Sequence, residues 1–218
     1  KSDSEIILHL FPRLGMDETL KELRGEFAFS LYNKEEEALY LVRDRFGIKP
    51  LYWTQVGDTI IFGSELKVLF AHPEVKPEFT SEGLYHQLIQ TMVPGTTAFK
   101  NVHQVKPGHV VRIKRQGGKL VVNEHKYWDL NFPREIERKE MSEEEAINRT
   151  REELLNAVAL RLEADVPVGS YLSGGIDSCA IIGLASACRQ GPVRAFTIGF
   201  DDKDYDETPI ATQMAESC

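Results

Sequence analysis

Val166-Pro167-Val168-Gly169-Ser170-Tyr171-Leu172-Ser173-Gly174-Gly175-Ile176-Asp177-Ser178 is the stretch that decides the fold of the second half of the chain. Val166 to Leu172 is a short apolar run with valines and a tyrosine, which suits a buried strand. Ala180 to Ala187 is apolar nearly all round and long enough for a buried helix. The hexapeptide Ser173 to Ser178 therefore falls at the carboxyl end of a strand, where open parallel sheets bind ligands. Gly174 and Gly175 allow positive φ and let a ligand approach the backbone. Successive N–H groups and the following helix N-terminus offer positive potential to phosphate oxygens, and Ser173 and Ser178 add hydroxyl donors. Asp177 is out of place in an anion site unless it holds a cation, which points to Mg²⁺ bridging to the phosphates. The GxxxxGK[ST] spacing is absent and no Lys follows the glycines, which points away from γ-phosphate transfer. The plain alternative is a Gly-Gly turn with Asp177 as the helix N-cap.

Working outward, Ser142 and Glu145 form an S-x-x-E capping box, and Ile147, Leu154, Leu155, Val158 and Leu162 share one helical face behind it. Val193 to Ile198 reads as a second buried strand. Thr208-Pro209 reads as the N-cap and first position of a last helix. Helix, strand, helix, strand, helix over 142–218 is the order of a parallel α/β layer. Two parallel strands bury their faces poorly, so this domain is expected to continue past Cys218. Residues 131–141 are charged, contain Pro133 and lack periodicity, and are expected to be a linker.

Residues 1–130 have a different grammar. A short helix is expected before Leu14. Phe27, Phe29 and Leu31 then alternate with Ala28, Ser30 and Tyr32, a polar turn spans Asn33 to Glu37, and Ala38 to Val42 returns. Pro50 to Trp53 pairs with Thr59 to Phe62 around Gly57-Asp58, and His109 to Ile113 with Leu120 to Val122 around Gly117-Gly118. With a helix near Ser81 to Gln90, this half is α+β and mostly antiparallel.

The 218 residues are 42% hydrophobic and 28% charged, as in ordinary globular proteins, and the net charge of −8 argues against a nucleic-acid partner. No apolar run is long enough to cross a bilayer, so no membrane partner is expected. Cys179, Cys188 and Cys218 make neither CxxC pairs nor an even set, which favours a reducing, cytoplasmic setting.

Ser173-Gly174-Gly175-Ile176-Asp177-Ser178 resembles the pyrophosphate loop of the ATP pyrophosphatases, and Asp165 to Ser178 is similar to the asparagine synthetase version of it. Arg43-Asp44-Arg45-Phe46-Gly47-Ile48-Lys49-Pro50-Leu51-Tyr52 resembles the RDxxGxxPLY signature of class II glutamine amidotransferase domains, and Gly25 to Phe29 and Gly63 to Lys67 resemble their flanks. Read from the residues alone, Arg43 and Asp44 are structural, with Arg43 free to pair with a carboxylate. The resemblance implies an αββα N-terminal-nucleophile hydrolase sandwich, incomplete at its front. An α/β ATP-pyrophosphatase domain, incomplete at its end, is implied to follow.

That family, the glutamine-hydrolysing asparagine synthetases, implies that ATP is bound at Ser173, Gly174, Gly175, Asp177 and Ser178. Adenine is implied to touch the backbone of Leu172 and a second contact at Ile198. It implies that Asp3, within Ser2-Asp3-Ser4-Glu5, holds the α-amino group of glutamine, whereas Asp3 taken alone is a plausible helix N-cap. It implies Asp206 and Glu207 as an acidic patch, for which helix N-terminal charge complementation is an equal reading. The family's nucleophile is an N-terminal cysteine. This chain begins with Lys1 and has no cysteine in that half, so an internal fragment is expected. The implied reaction uses ammonia from glutamine to amidate a Mg-ATP-activated β-aspartyl-AMP, giving asparagine, AMP and pyrophosphate, in an enzyme that often dimerises. The alternatives are a related amidotransferase or β-lactam synthetase acting on another carboxylic acid, or a non-catalytic relative that binds ATP or glutamine.

Overall fold

A computed structural model describes residues 3–91, 93–138, 140–189 and 191–218; Lys1, Ser2 and Lys139, which belong to stretches singled out above, lie outside them. The chain divides into two compact units, residues 1–132 and 133–218.

The first unit opens with α1 (Glu5–Glu22), two helical stretches joined across a kink at Gly15. The φ +76 and ψ 176 of Gly15 are not helical, so the first stretch ends where the short helix is expected to end. Four strands, β1 (Ala28–Asn33), β2 (Ala38–Arg43), β3 (Tyr52–Val56) and β4 (Thr59–Gly63), follow as two hairpins. Next come α2 (Leu66–Phe70), α3 (Ser81–Leu88) and β5 (Val102–Gln104). The last hairpin is β6 (His109–Gln116) and β7 (Lys119–Lys126), turned by Gly117 and Gly118, both at positive φ. One antiparallel sheet has the order β1-β2-β6-β7 and a second the order β4-β3-β5.

Strand alternation explains how these layers stack. Ala38, Tyr40 and Val42 on β2 and Val110 on β6 pack under Met16 and Leu20 of α1. The opposite residues, Leu41, Val111 and Ile113, meet Trp53, Ile60 and Phe62 of the second sheet. On that sheet's far face Tyr52, Val56 and Ile61 pack with Leu69 of α2 and Val102. The order is therefore helix, sheet, sheet, helix.

In the second unit a 3-10 turn at Glu135–Glu137 precedes α4 (Glu143–Leu162), whose N-cap Ser142 accepts the Glu145 N–H at 3.2 Å. β8 (Gly169–Tyr171), α5 (Ile176–Cys188), β9 (Arg194–Phe196) and α6 (Thr208–Ser217) follow, with β8 and β9 parallel. The core is Leu172, Ile182 and Ala211, flanked by Cys179, Val193, Ala195 and Met214. Both strands and α5 are more exposed than the sequence suggests: Tyr171 and Phe196 face outward, and α5 buries only Ile182 and Ala185. A two-stranded sheet covers side chains only on its helix-facing side. Ile147 and Leu154 of α4 are likewise exposed and line an apolar groove of about 800 Å³ with Cys179, Leu184 and Met214. Among the described residues, no helix is long and apolar enough to cross a membrane.

Candidate functional site

Ser173 to Ser178 joins β8 to α5 as the spacing predicts. Its root is Leu172, whose side chain is 1% exposed. The Leu172 N–H donates to Phe196 O at 2.9 Å, and its carbonyl accepts the Thr197 hydroxyl at 2.8 Å. Gly174 takes φ +82, which favours glycine, and a Cβ there would lie 3.1 Å from Cβ of Ile210, a tight contact with α6. Gly175 differs from the expectation. It sits at φ −71, ψ 159 as the N-cap of α5, so only one of the two glycines uses its conformational freedom.

The two serines close the loop on itself. Ser178 Oγ accepts the Ser173 N–H at 3.2 Å, lies 3.1 Å from Ser173 Oγ and donates to Gly175 O at 3.1 Å. Asp177 is the second residue of α5, so it does not cap the helix. Its exposed carboxylate makes no hydrogen bond or ion pair among the described residues. Among those residues no cluster of three or more His, Cys, Asp or Glu forms a self-sufficient metal cage. A single carboxylate beside this glycine-rich loop is still compatible with Mg²⁺, which takes one or two carboxylates and fills its shell with phosphate oxygens and water. A cavity of about 440 Å³ opens at the loop root, lined by Leu172, Thr197, Thr208 and Thr212 among others. Ile198, one residue past Thr197, is 72% exposed.

Asp206 stands as a clamp between the segment after β9 and the start of α6. Its Oδ1 accepts from Thr208 Oγ1 at 2.5 Å, from Thr208 N at 3.2 Å and from Phe200 N at 3.4 Å. The Thr208 hydroxyl and N–H hold this carboxyl below its ordinary 3.8. Thr208 itself is not the N-cap. Glu207 holds that position, and Pro209 follows in the first turn, where its missing N–H costs nothing.

In the first unit Asp3 precedes Ser4, the assigned N-cap of α1, whose side chain makes no capping hydrogen bond. Asp3 Oδ1 accepts the Ser4 N–H at 2.8 Å. Its carboxylate borders a cavity of about 920 Å³ shared with Arg24, Glu26, Lys49 and Ser64, along the free edge of β1. That mixture of two carboxylates and two cations can recognise a zwitterion, and the volume suits a small ligand.

The Arg43–Asp44 pair shapes this cavity's wall rather than lining it. The buried Arg43 guanidinium donates to three carbonyls, those of Gly47 at 2.5 Å, Val105 at 2.8 Å and Lys49 at 2.9 Å, and not to a carboxylate as expected. Burial lowers its pKa. Asp44, 1% exposed, accepts the N–H groups of Phe46, Ile48 and Lys49 at 3.1, 3.1 and 2.9 Å. Tyr127 adds a hydroxyl bond to Arg43 O at 2.9 Å, and burial pushes that phenol well above its ordinary range. Lys49 is thus held by its backbone while Nζ lies 3.5 Å from Glu26.

Sequence reasoning missed Thr197 and the cavity residues Arg24, Glu26 and Lys49. Thr197 could have been found by continuing the β8–β9 register one position past Tyr171↔Phe196, which sets it opposite Leu172.

The family model for the glutamine amidotransferase domain matches residues 1–128, and that for asparagine synthase matches residues 149–218. The chain belongs to the glutamine amidotransferase domain family, and a segment of the asparagine synthase family follows in the same polypeptide. It is 38% identical to the amidase chyE of Penicillium rubens over 98% of this chain and 33% of that protein. It is 32% identical to glutamine-hydrolysing asparagine synthetase 3 of Bacillus subtilis over 93% of this chain and 33% of that protein. It thus spans about a third of the length of these relatives. A solved glutamine phosphoribosylpyrophosphate amidotransferase from B. subtilis superposes with a TM-score of 0.38 at 16% identity, covering 94% of this chain and 42% of that one. That superposition is too loose to bear on the fold.

Proposed function

We propose that this chain is the central part of a glutamine-dependent amidotransferase of the asparagine synthetase type, with an N-terminal-nucleophile hydrolase sandwich ahead of an ATP-pyrophosphatase domain. One observation carries the reading: a self-closed Ser173–Ser178 loop, with the carboxylate of Asp177 free beside it, stands in one polypeptide with a glutamine amidotransferase domain. In this reaction the first unit supplies ammonia from glutamine, with Asp3 facing the substrate ammonium. In the second unit a substrate carboxylate oxygen attacks the α-phosphorus of ATP and pyrophosphate leaves. Ammonia then attacks the acyl carbon and AMP leaves. The loop N–H groups and the serine hydroxyls hold the pyrophosphate oxygens, where fixed donors favour the charge that builds on the leaving group. Asp177 would hold the Mg²⁺ that accompanies ATP, which offsets phosphate charge.

Aspartate is the acid this reading favours, from the relatives named asparagine synthetase. A second acid is a specific alternative, because two relatives named amidases are 38% and 36% identical to this chain, against 32% and 34% for two of those synthetases. The test is nitrogen transfer by the full-length protein, using glutamine labelled with ¹⁵N in its amide, ATP and a panel of carboxylic acids. Label in asparagine supports the aspartate reading. Label only in another amide moves the assignment to that acid, and label left as free ammonia with every acid refutes the amidotransferase reaction.

A further inference from the structure

Thr197 holds the root of the nucleotide loop. We propose that it is a positioning residue for nucleotide binding, an inference that rests on the reading of Ser173–Ser178 as an ATP loop. β8 and β9 pair through Gly169↔Arg194, Ser170↔Ala195 and Tyr171↔Phe196, and the ladder ends there. One position further on, backbone and side chain take over together. Leu172 N–H donates to Phe196 O at 2.9 Å, and the Thr197 hydroxyl donates to Leu172 O at 2.8 Å. Both backbone groups of Leu172 are thereby engaged by the neighbouring strand, and its side chain is buried against Ile182 and Ala211.

The next residue, Ser173, is held quite differently. Among the described residues its N–H and Oγ reach only Ser178, within the loop. The loop is therefore anchored to the rest of the unit through Leu172 at one end, α5 at the other, and the packing of Gly174 on α6 between them. A hydroxyl on that carbonyl fixes the plane of the Leu172–Ser173 peptide, and with it the direction in which the Ser173 N–H points. Leu172 and Thr197 are both among the residues lining the cavity of about 440 Å³ at the loop root. An anion site built from backbone donors depends on such orientation, because its donors cannot swing to meet the ligand.

The test compares full-length wild type with Thr197→Val, which keeps the shape and removes the hydroxyl, and Thr197→Ser, which keeps the hydroxyl and removes the methyl. Affinity for Mg-ATP is measured by calorimetry, and amide exchange is followed in a peptide spanning 172–178. The Val variant is expected to bind ATP about three- to tenfold more weakly, the range of one hydrogen bond. Its exchange in 172–178 is expected to rise while exchange in α4 stays unchanged, with the Ser variant close to wild type in both. ATP affinity and exchange unchanged in Val, or a Ser variant as impaired as Val, would overturn the proposal. Should Val fail to fold, wild-type behaviour of Ser still supports the hydroxyl's role and loss in Ser refutes it. If wild type itself binds no ATP, the nucleotide reading falls, and with it a role for Thr197 in binding one.

Discussion

Ser178 Oγ lies 3.1 Å from Ser173 Oγ and 3.2 Å from Ser173 N, so the first and last residues of the hexapeptide close it into a ring without any ligand. If this loop takes a phosphate as proposed, binding would exchange these internal hydrogen bonds for bonds to the ligand instead of ordering a free loop.

Ser178→Ala removes that closure. AMP formation is expected to fall about tenfold or more, since a donor that reaches charged oxygens is worth about 1.5–3 kcal/mol. Ser178 is only half-buried, so thermal unfolding is expected to shift by less than about 1 kcal/mol. Pyrophosphate release beside a melting curve checks both.

Asp177→Asn tests the cation reading. The carboxylate has no protein partner among the described residues, so the fold is expected to be unaffected. The Mg²⁺ concentration for half-maximal activity is expected to rise about tenfold or more, because on the proposed reading a hard cation would lose an anionic protein ligand. A Mg²⁺ titration at fixed ATP reads this directly.

In the first unit, Asp44→Ala removes the buried acceptor of the part-buried N–H groups of Phe46, Ile48 and Lys49 and leaves a cavity in its place. The expected loss is about 3–5 kcal/mol, seen in denaturant unfolding. Gly47→Ala is expected to be milder, about 1–3 kcal/mol, since φ is +66 and the new Cβ would lie 2.8 Å from Cγ of Pro107. These residues hold Lys49 at the cavity, so partial loss of glutamine turnover should accompany the loss of stability.

Asp206 sets an acid limit on the second unit. Its folded pKa is lowered by Thr208, so the unfolded chain takes up the proton more readily. The contribution is present above the ordinary carboxyl pKa and is lost as pH falls through the lower folded value. Wild type is expected to be more stable than Asp206→Ala near pH 7, and the difference to shrink below about pH 4. Paired unfolding curves across that range decide it.

Much of this was legible in the sequence where the signal is local. Alternation gave β1 and β2, Gly57-Asp58 and Gly117-Gly118 gave their hairpins, and the strand–loop–helix around Ser173 was readable from apolar runs on either side of the glycines. What escaped depends on partners distant in sequence. β5 is three residues without alternation and exists because it pairs with β3. The helix expected before Leu14 does break at Gly15, but the second helical stretch, which packs Met16 and Leu20 on the sheet, was not foreseen. Arg43 finds carbonyls only after the fold brings Val105 beside it. At the site, Thr197 has no motif of its own and gains its role from parallel register.

The most direct test of the account is AMP and pyrophosphate release by the full-length protein with ATP, Mg²⁺, aspartate and either glutamine or ammonium, beside Asp177→Ala. The account predicts that AMP and pyrophosphate appear in equal amounts, that release depends on aspartate, and that Asp177→Ala abolishes it. ATP bound but left intact with aspartate and every other acid supplied would contradict it.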